Sequence, residues 1–251
     1  MKIGILTLHW AYNFGANLQA LSSSNYLSGL GHEVCFLNYR SKDMEIHLEK
    51  VVSKEQRAIH NDFCREYLHQ STLCHNGESL REVVSKLDLD LIIVGSDAVF
   101  RLDKKLDRSD TSFPNPYWLT WLNPDISQGV SCASLAASSM GTFYFSYSPQ
   151  VWWGIGRALS AFDFLSVRDS WTKTMLRMIS LGRVNPIICP DPIVIINDIF
   201  QIPESDSSEP SALERNYILL SLYPGMLSDM WVKRFVEYAH RKDYLVFSLP
   251  H

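Results

Sequence analysis

Short apolar runs alternate with stretches of helical spacing along most of this 251-residue chain, and that alternation constrains its fold more than any other feature. Residues 2–8 (KIGILTL) are apolar enough, and few enough, to form a buried strand. A polar turn follows at 9–15. Leu18, Leu21, Leu27 and Leu30 then recur near helical spacing until Gly31 offers a stop. Strand-like runs return at 33–38, 90–94, 129–137, 164–167 and 186–189, with helical patterns within 42–88 and at 152–162 and 171–179. Strands separated by helices in this way predict an α/β chain built on a Rossmann-like parallel sheet, with sites at the carboxyl ends of its strands.

The pattern breaks at 201–211 (QIPESDSSEPS), a Pro-, Ser- and acid-rich stretch that reads as a linker. One more unit follows: strand 217–222, helix 227–241, strand 244–249. A single βαβ unit is too small to bury a core alone. The expected organisation is a Rossmann-like domain over 1–200, a linker over 201–212, and the start of a second, incomplete Rossmann-like domain over 213–251.

Composition removes several function classes. The longest apolar runs fall far short of the roughly 18 residues that a membrane span needs, and the first eight residues do not read as a signal peptide. A net charge of −4 supplies no basic field for nucleic acid. The five Cys (35, 64, 74, 132 and 189) contain no C-x-x-C pair, and Cys35, Cys132 and Cys189 read as small core hydrophobes. That usage fits a reducing, cytoplasmic compartment. The eight His are scattered and predict no metal site. The aromatics at 116–121 read as core.

Chemistry-bearing residues gather where the strands are expected to end. Asn13, Gly15, Asn17 and Gln19 lie in a turn that opens a helix, where backbone N–H groups favour an anion; the plainer reading is a tight turn with Asn17 as helix cap. Neither G-x-G-x-x-G nor a Walker lysine is present, so no nucleotide cofactor is expected. Gly95-Ser96-Asp97 ends an Ile/Val run, with Asp97 a candidate base or cap. Ser138-Ser139-Met140-Gly141 ends another, as a close-approach loop or packing space. Arg168, in Ser166-Val167-Arg168-Asp169, carries a planar fork suited to a carboxylate or phosphate, or to a local pair with Asp169 or Asp191. Pro on both sides makes the turn at Asp191 rigid, and it reads as structural.

Five of these segments, in order, resemble the polysaccharide pyruvyl transferase family: Asn13-Phe14-Gly15-Ala16-Asn17-Leu18-Gln19, Gly95-Ser96-Asp97, Ser139-Met140-Gly141, Ser166-Val167-Arg168-Asp169 and Asp191-Pro192. Where the family often continues Gly-Ser-Asp with Gln, a β-branched residue and Trp, this chain has Ala98-Val99-Phe100. The resemblance implies a GT-B-like architecture of two Rossmann-like domains. It also implies transfer of the enolpyruvyl group of phosphoenolpyruvate to a saccharide or lipid-linked saccharide diol, giving a pyruvate ketal. Catalytic roles then fall to Arg168, His251 and Asp97, and substrate contacts to Asn13, Gly15, Asn17, Gln19, Ser96 and Ser139, with no metal and no cofactor beyond the donor. A lipid-linked acceptor would bring the protein to the inner face of the membrane, although no basic amphipathic helix argues for it. Two rival readings share the architecture: a nucleotide-sugar-dependent glycosyltransferase, and a non-catalytic sugar-binding member of the family.

Overall fold

In the computed structural model, residues 1–106, 108–122, 129–196, 216–220 and 227–248 are described. They belong to two compact units, Met1–Phe200 and Gln201–His251.

The first unit is organised by a six-stranded sheet: β1 (Lys2–Leu6), β2 (Glu33–Phe36), β3 (Leu91–Asp97), β4 (Ser131–Ala137), β5 (Phe164–Val167) and β6 (Ile187–Ile188). All its pairings are parallel, and the order is β2-β1-β3-β4-β5-β6. Among the described residues, helices that connect or flank the strands are α1 (Phe14–Gly29), α2 (Lys42–Val51), α3 (Lys54–Tyr67), α4 (Gly77–Leu87), α5 (Pro149–Ala158) and α6 (Ser170–Ile179). This is the parallel α/β sheet that the alternating pattern predicts.

Strand periodicity explains why both faces are covered. Successive side chains of β3 point to opposite sides. Ile92 and Val94 join a core with Leu80 and Val84 of α4, Ile155 of α5, and Met175 and Leu176 of α6. Ile93 joins Ile3 and Ile5 of β1 in a second core with Ala20 and Leu21 of α1 and Cys64 of α3. Each buried Ile or Leu contributes about 1.5–3 kcal/mol, and a strand buried on both faces reads as the unbroken apolar run seen at 91–94. The aromatics Tyr117, Trp118 and Trp121 lie in the first core, as their sequence suggests. Phe100 stacks on Trp118 there, with ring centroids 4.5 Å apart.

Two expectations need correction. Helix α1 begins four residues before the first helical leucine, because Asn13 and not Asn17 caps it: Asn13 Oδ1 accepts the backbone N–H of Ala16 at 3.0 Å. Cys189 is only half-buried, whereas Cys35 and Cys132 are buried as expected.

After β6 the chain does not stay at that edge. A turn at Asp191 leads into a short 3-10 segment, Pro192–Ile195, that packs against α1. Residues 189–195 therefore form a strap that returns from the β6 side of the sheet to the helix beside β1.

The second unit holds β7 (Tyr217–Leu220), α7 (Asp229–Arg241) and β8 (Leu245–Ser248), with β7 and β8 paired in parallel and Ser228 capping the helix. The linker stretch 201–211 lies outside the described residues.

Candidate functional site

The neighbours of β1 lead in opposite directions, β2 on one side and β3 on the other, so the connections from this point of the sheet diverge. In an open α/β sheet such a point leaves a crevice beyond the strand ends. The predicted residues gather along those ends, held by unusual backbone. Gly95 has φ +112°, and a Cβ there would lie 2.4 Å from the carbonyl oxygen of Leu135. Asp97, Ala136 and Met140 also have positive φ (78°, 45° and 48°). Left-handed backbone at a residue other than glycine costs on the order of 1–3 kcal/mol. Here it turns the exits of β3 and β4.

Around those exits four polar residues converge from three parts of the chain. Arg168, leaving β5, donates from Nη1 to Asp191 Oδ2 at 2.6 Å. Ser96, fully buried in β3, directs its Oγ to the same Asp191 oxygen at 3.3 Å and to Ala136 O at 3.2 Å. Asp97 Oδ1 accepts the Ala98 N–H at 2.7 Å. Burial pushes the Asp97 carboxyl above its ordinary pKa; the Ala98 N–H and the Arg168 charge pull it back, and Asp191 raises it again. The carboxyl is thus a better proton acceptor than a solvated aspartate. The local-pair reading of Arg168 resolves to Asp191, which makes the rigid Pro-Asp-Pro turn a support for the guanidinium. With the Arg168 side chain 36% exposed and that contact made through Nη1, a planar anion can approach the rest of the fork.

Beside this cluster, Asp169 caps α6. It accepts from the Thr172 N–H (2.7 Å), the Thr172 hydroxyl (2.9 Å) and the Ser138 hydroxyl (2.8 Å). Burial alone would raise its pKa, but these donors and Arg168 outweigh it and hold the carboxyl below the ordinary value. Ser139 is fully buried and bonds Thr172 through both its N–H and its hydroxyl. These contacts fix the 138–141 turn, and they leave the Met140 side chain exposed.

On the β1 side, Asn17 and Gln19 are each 2% exposed. Asn17 Nδ2 donates to His9 O at 2.7 Å and to Ala11 O at 3.3 Å, while Oδ1 meets His60 Nδ1 at 2.5 Å. Since the amide nitrogen is already donating, the oxygen must accept, and His60 carries its proton on Nδ1. Gln19 Nε2 donates to Thr7 Oγ1, which donates onward to Ser96 O at 2.8 Å. That chain ties the turn after β1 to the end of β3. Asn13 and Gly15 remain exposed, and glycine at 15 leaves room for the cap, since a Cβ would lie 3.2 Å from Asn13 Oδ1.

Arg168, Asp97 and Ser96 are therefore brought together. Asn17, Gln19 and Ser139 are buried in hydrogen bonds that position the neighbouring turns, and His251 lies outside the described residues. Three contributors escaped the sequence reading. Asp191 was legible as a rigid turn and as one of two candidate partners for Arg168, but not as a member of the site; Thr172 was one polar residue in a helix, and His60 one scattered histidine. The signal for His60 was its place four residues before Cys64 on the face of α3 turned to the core. Among the described residues no cluster of His, Cys, Asp and Glu could hold a metal ion, and no helix is long and apolar enough to cross a membrane.

The sequence profile of the polysaccharide pyruvyl transferase family matches residues 13–251, nearly the whole chain. No curated protein shows significant sequence similarity to it.

Proposed function

Because the chain belongs to the polysaccharide pyruvyl transferase family, we propose that it transfers the enolpyruvyl group of phosphoenolpyruvate to two hydroxyls of a saccharide, forming a pyruvate ketal and releasing phosphate, in the synthesis of a cell-surface polysaccharide. The observation that carries this reading past the family name is the Arg168–Asp191–Ser96–Asp97 cluster at the carboxyl ends of the strands.

Phosphoenolpyruvate is a small anion with a carboxylate at one end and a phosphate at the other. Arg168 clamps one of them through the part of its fork that Asp191 does not use, and Asp191 holds the guanidinium in place beforehand. The reaction needs a proton on the methylene carbon, attack of one sugar hydroxyl on the adjacent carbon, and attack of the second as the C–O bond to phosphate breaks. Asp97, its pKa raised by burial, takes the proton of an attacking hydroxyl. The resemblance assigns to His251 the proton delivered to the methylene carbon. Asn13 and Gly15, exposed at the N-terminus of α1, face the acceptor. Asn17, Gln19 and Ser139 serve the site by holding its turns.

The test is phosphate release from phosphoenolpyruvate by the full-length protein, against a panel of saccharide diols, with Arg168→Ala beside it. Release should depend on the acceptor and fall at least about 100-fold in the variant, the scale of losing one charge-stabilising donor, while the thermal midpoint stays near wild type. Acceptor-dependent release at the wild-type rate by Arg168→Ala would remove Arg168 from the site. Turnover of a nucleotide sugar without use of phosphoenolpyruvate would replace the reading with glycosyl transfer.

A further inference from the structure

A second place in the first unit is built for an anion. An open cleft of about 410 Å³ is lined by Trp10 from the turn after β1, Arg40 from just past β2, Lys54 and Arg57 of α3, and Glu45 and Glu49 of α2. Three N–H donors on this lining, Trp10 Nε1, Arg40 Nε and Arg57 Nε, are buried and have no hydrogen-bond acceptor among the described residues. Buried donors in folded proteins are nearly always paired, so three unpaired ones just behind one cleft leave its Arg and Trp side chains without acceptors from the protein.

The charges point the same way. Glu45 lies 3.6 Å from His75, and Glu49 reaches Arg57 only at 4.0 Å. Arg40 makes no ion pair among the described residues and lies over the Trp10 ring at 5.6 Å. Its charge is felt nearby: His9 is held to a pKa of about 4, first by burial and then by Arg40. Arg40 follows β2 and Arg168 follows β5, four strand positions away, roughly 19 Å at about 4.8 Å per strand. One phosphoenolpyruvate cannot span both.

We propose that the Trp10–Arg40–Arg57 cleft binds a phosphoryl group, as a second anion site separate from Arg168. Two guanidinium groups and the Lys54 ammonium on the same lining offer donors to several oxygens of one tetrahedral anion, which suits phosphate better than a planar carboxylate. The phosphate is either free or carried on a saccharide. The site does not depend on the transfer reaction, so it stands or falls separately from it.

The experiment is thermal unfolding of the full chain titrated with inorganic phosphate and, separately, with a hexose 1-phosphate, at ionic strength held constant with chloride. Wild type and Arg168→Gln should both gain thermal midpoint with phosphate, because a ligand bound only by the folded state stabilises it. Arg40→Gln and Arg57→Gln should need at least tenfold more phosphate for the same gain. Arg57 sits on a helix with its side chain 22% exposed, so its variant carries the test if Arg40→Gln unfolds. A lower half-saturation for the hexose phosphate assigns the group to a saccharide, and equal values assign it to free phosphate; either supports the site. An Arg57→Gln response equal to wild type, or loss of the response in Arg168→Gln alone, overturns it.

Discussion

Replacing Asn17 by alanine should be among the most damaging single changes in the first unit, although the residue is a small polar one near the start of a helix. Its amide closes a buried junction: Nδ2 donates to His9 O and Ala11 O, and Oδ1 accepts from His60. Alanine leaves the His60 ring nitrogen without a partner in a buried setting, at about 1–3 kcal/mol, and leaves the His9 carbonyl with only the weak Cys64 thiol donor at 3.4 Å. The Ala11 bond, at 3.3 Å to a half-buried residue, adds less. The expected loss is about 2–4 kcal/mol, which for a unit of this size lowers the thermal midpoint by roughly 10 °C. Asn13→Ala, which removes only the α1 cap, should cost about 1 kcal/mol. Thermal and urea melts followed by circular dichroism measure both. A loss below about 0.5 kcal/mol for Asn17→Ala, or a larger loss for Asn13→Ala, would refute the placement of Asn17 at the junction.

Acid should destabilise the protein through His9. Its folded pKa is about 4 against an unfolded value of 6.5, so the unfolded state binds the extra proton between those values. Stability is then intact above about pH 6.5 and declines by on the order of 3 kcal/mol as pH falls to 4. His60, also held low by burial, adds to the same slope. His9→Gln should flatten that slope in urea melts at stepped pH, and an unchanged slope would count against the assignment. Gly95→Ala combines a positive-φ backbone with a Cβ 2.4 Å from Leu135 O. It should cost more than about 2 kcal/mol, read as a fall in folded yield and midpoint. Of the five thiols, only Cys189 is not buried, and burial raises the pKa of the other four. Ellman's reagent should find about one fast thiol in the native protein and all five in denaturant; several fast thiols would contradict the packing.

Much of the fold was legible because both of its main signals are local. The run at 91–94 reads as a doubly buried strand, and the leucines of 18–30 as a helix, without knowledge of the partners. The end of β3 was not legible past Val94, since Gly95, Ser96 and Asp97 carry no strand preference and are held by β4. The start of α1 was misplaced because Asn13 and Asn17 are equal as cap residues; tertiary contact with His60 and the His9 carbonyl draws Asn17 inward. In the candidate site, the chemistry of Arg168 and Asp97 followed from residue type and position at a strand end. The choice of Asp191 over Asp169 as the partner of Arg168 did not. It depends on the strap returning across the strand ends, a contact between residues 23 apart in the chain. No periodicity encodes it.

That strap also sets an order of assembly. The Ser96–Asp191 contact joins residues 95 apart, and the packing of Pro192–Ile195 on α1 joins positions separated by most of the unit. Closing such loops costs chain entropy before any contact repays it. The strap also follows strands β1 to β6 in the chain, and Arg168 waits for it. During synthesis the strands and helices up to β5 emerge and can pair before residue 191 leaves the ribosome, so a nascent or C-terminally clipped chain holds a formed sheet with an unsupported guanidinium. The guanidinium gains its partner only when residues 189–195 are in place.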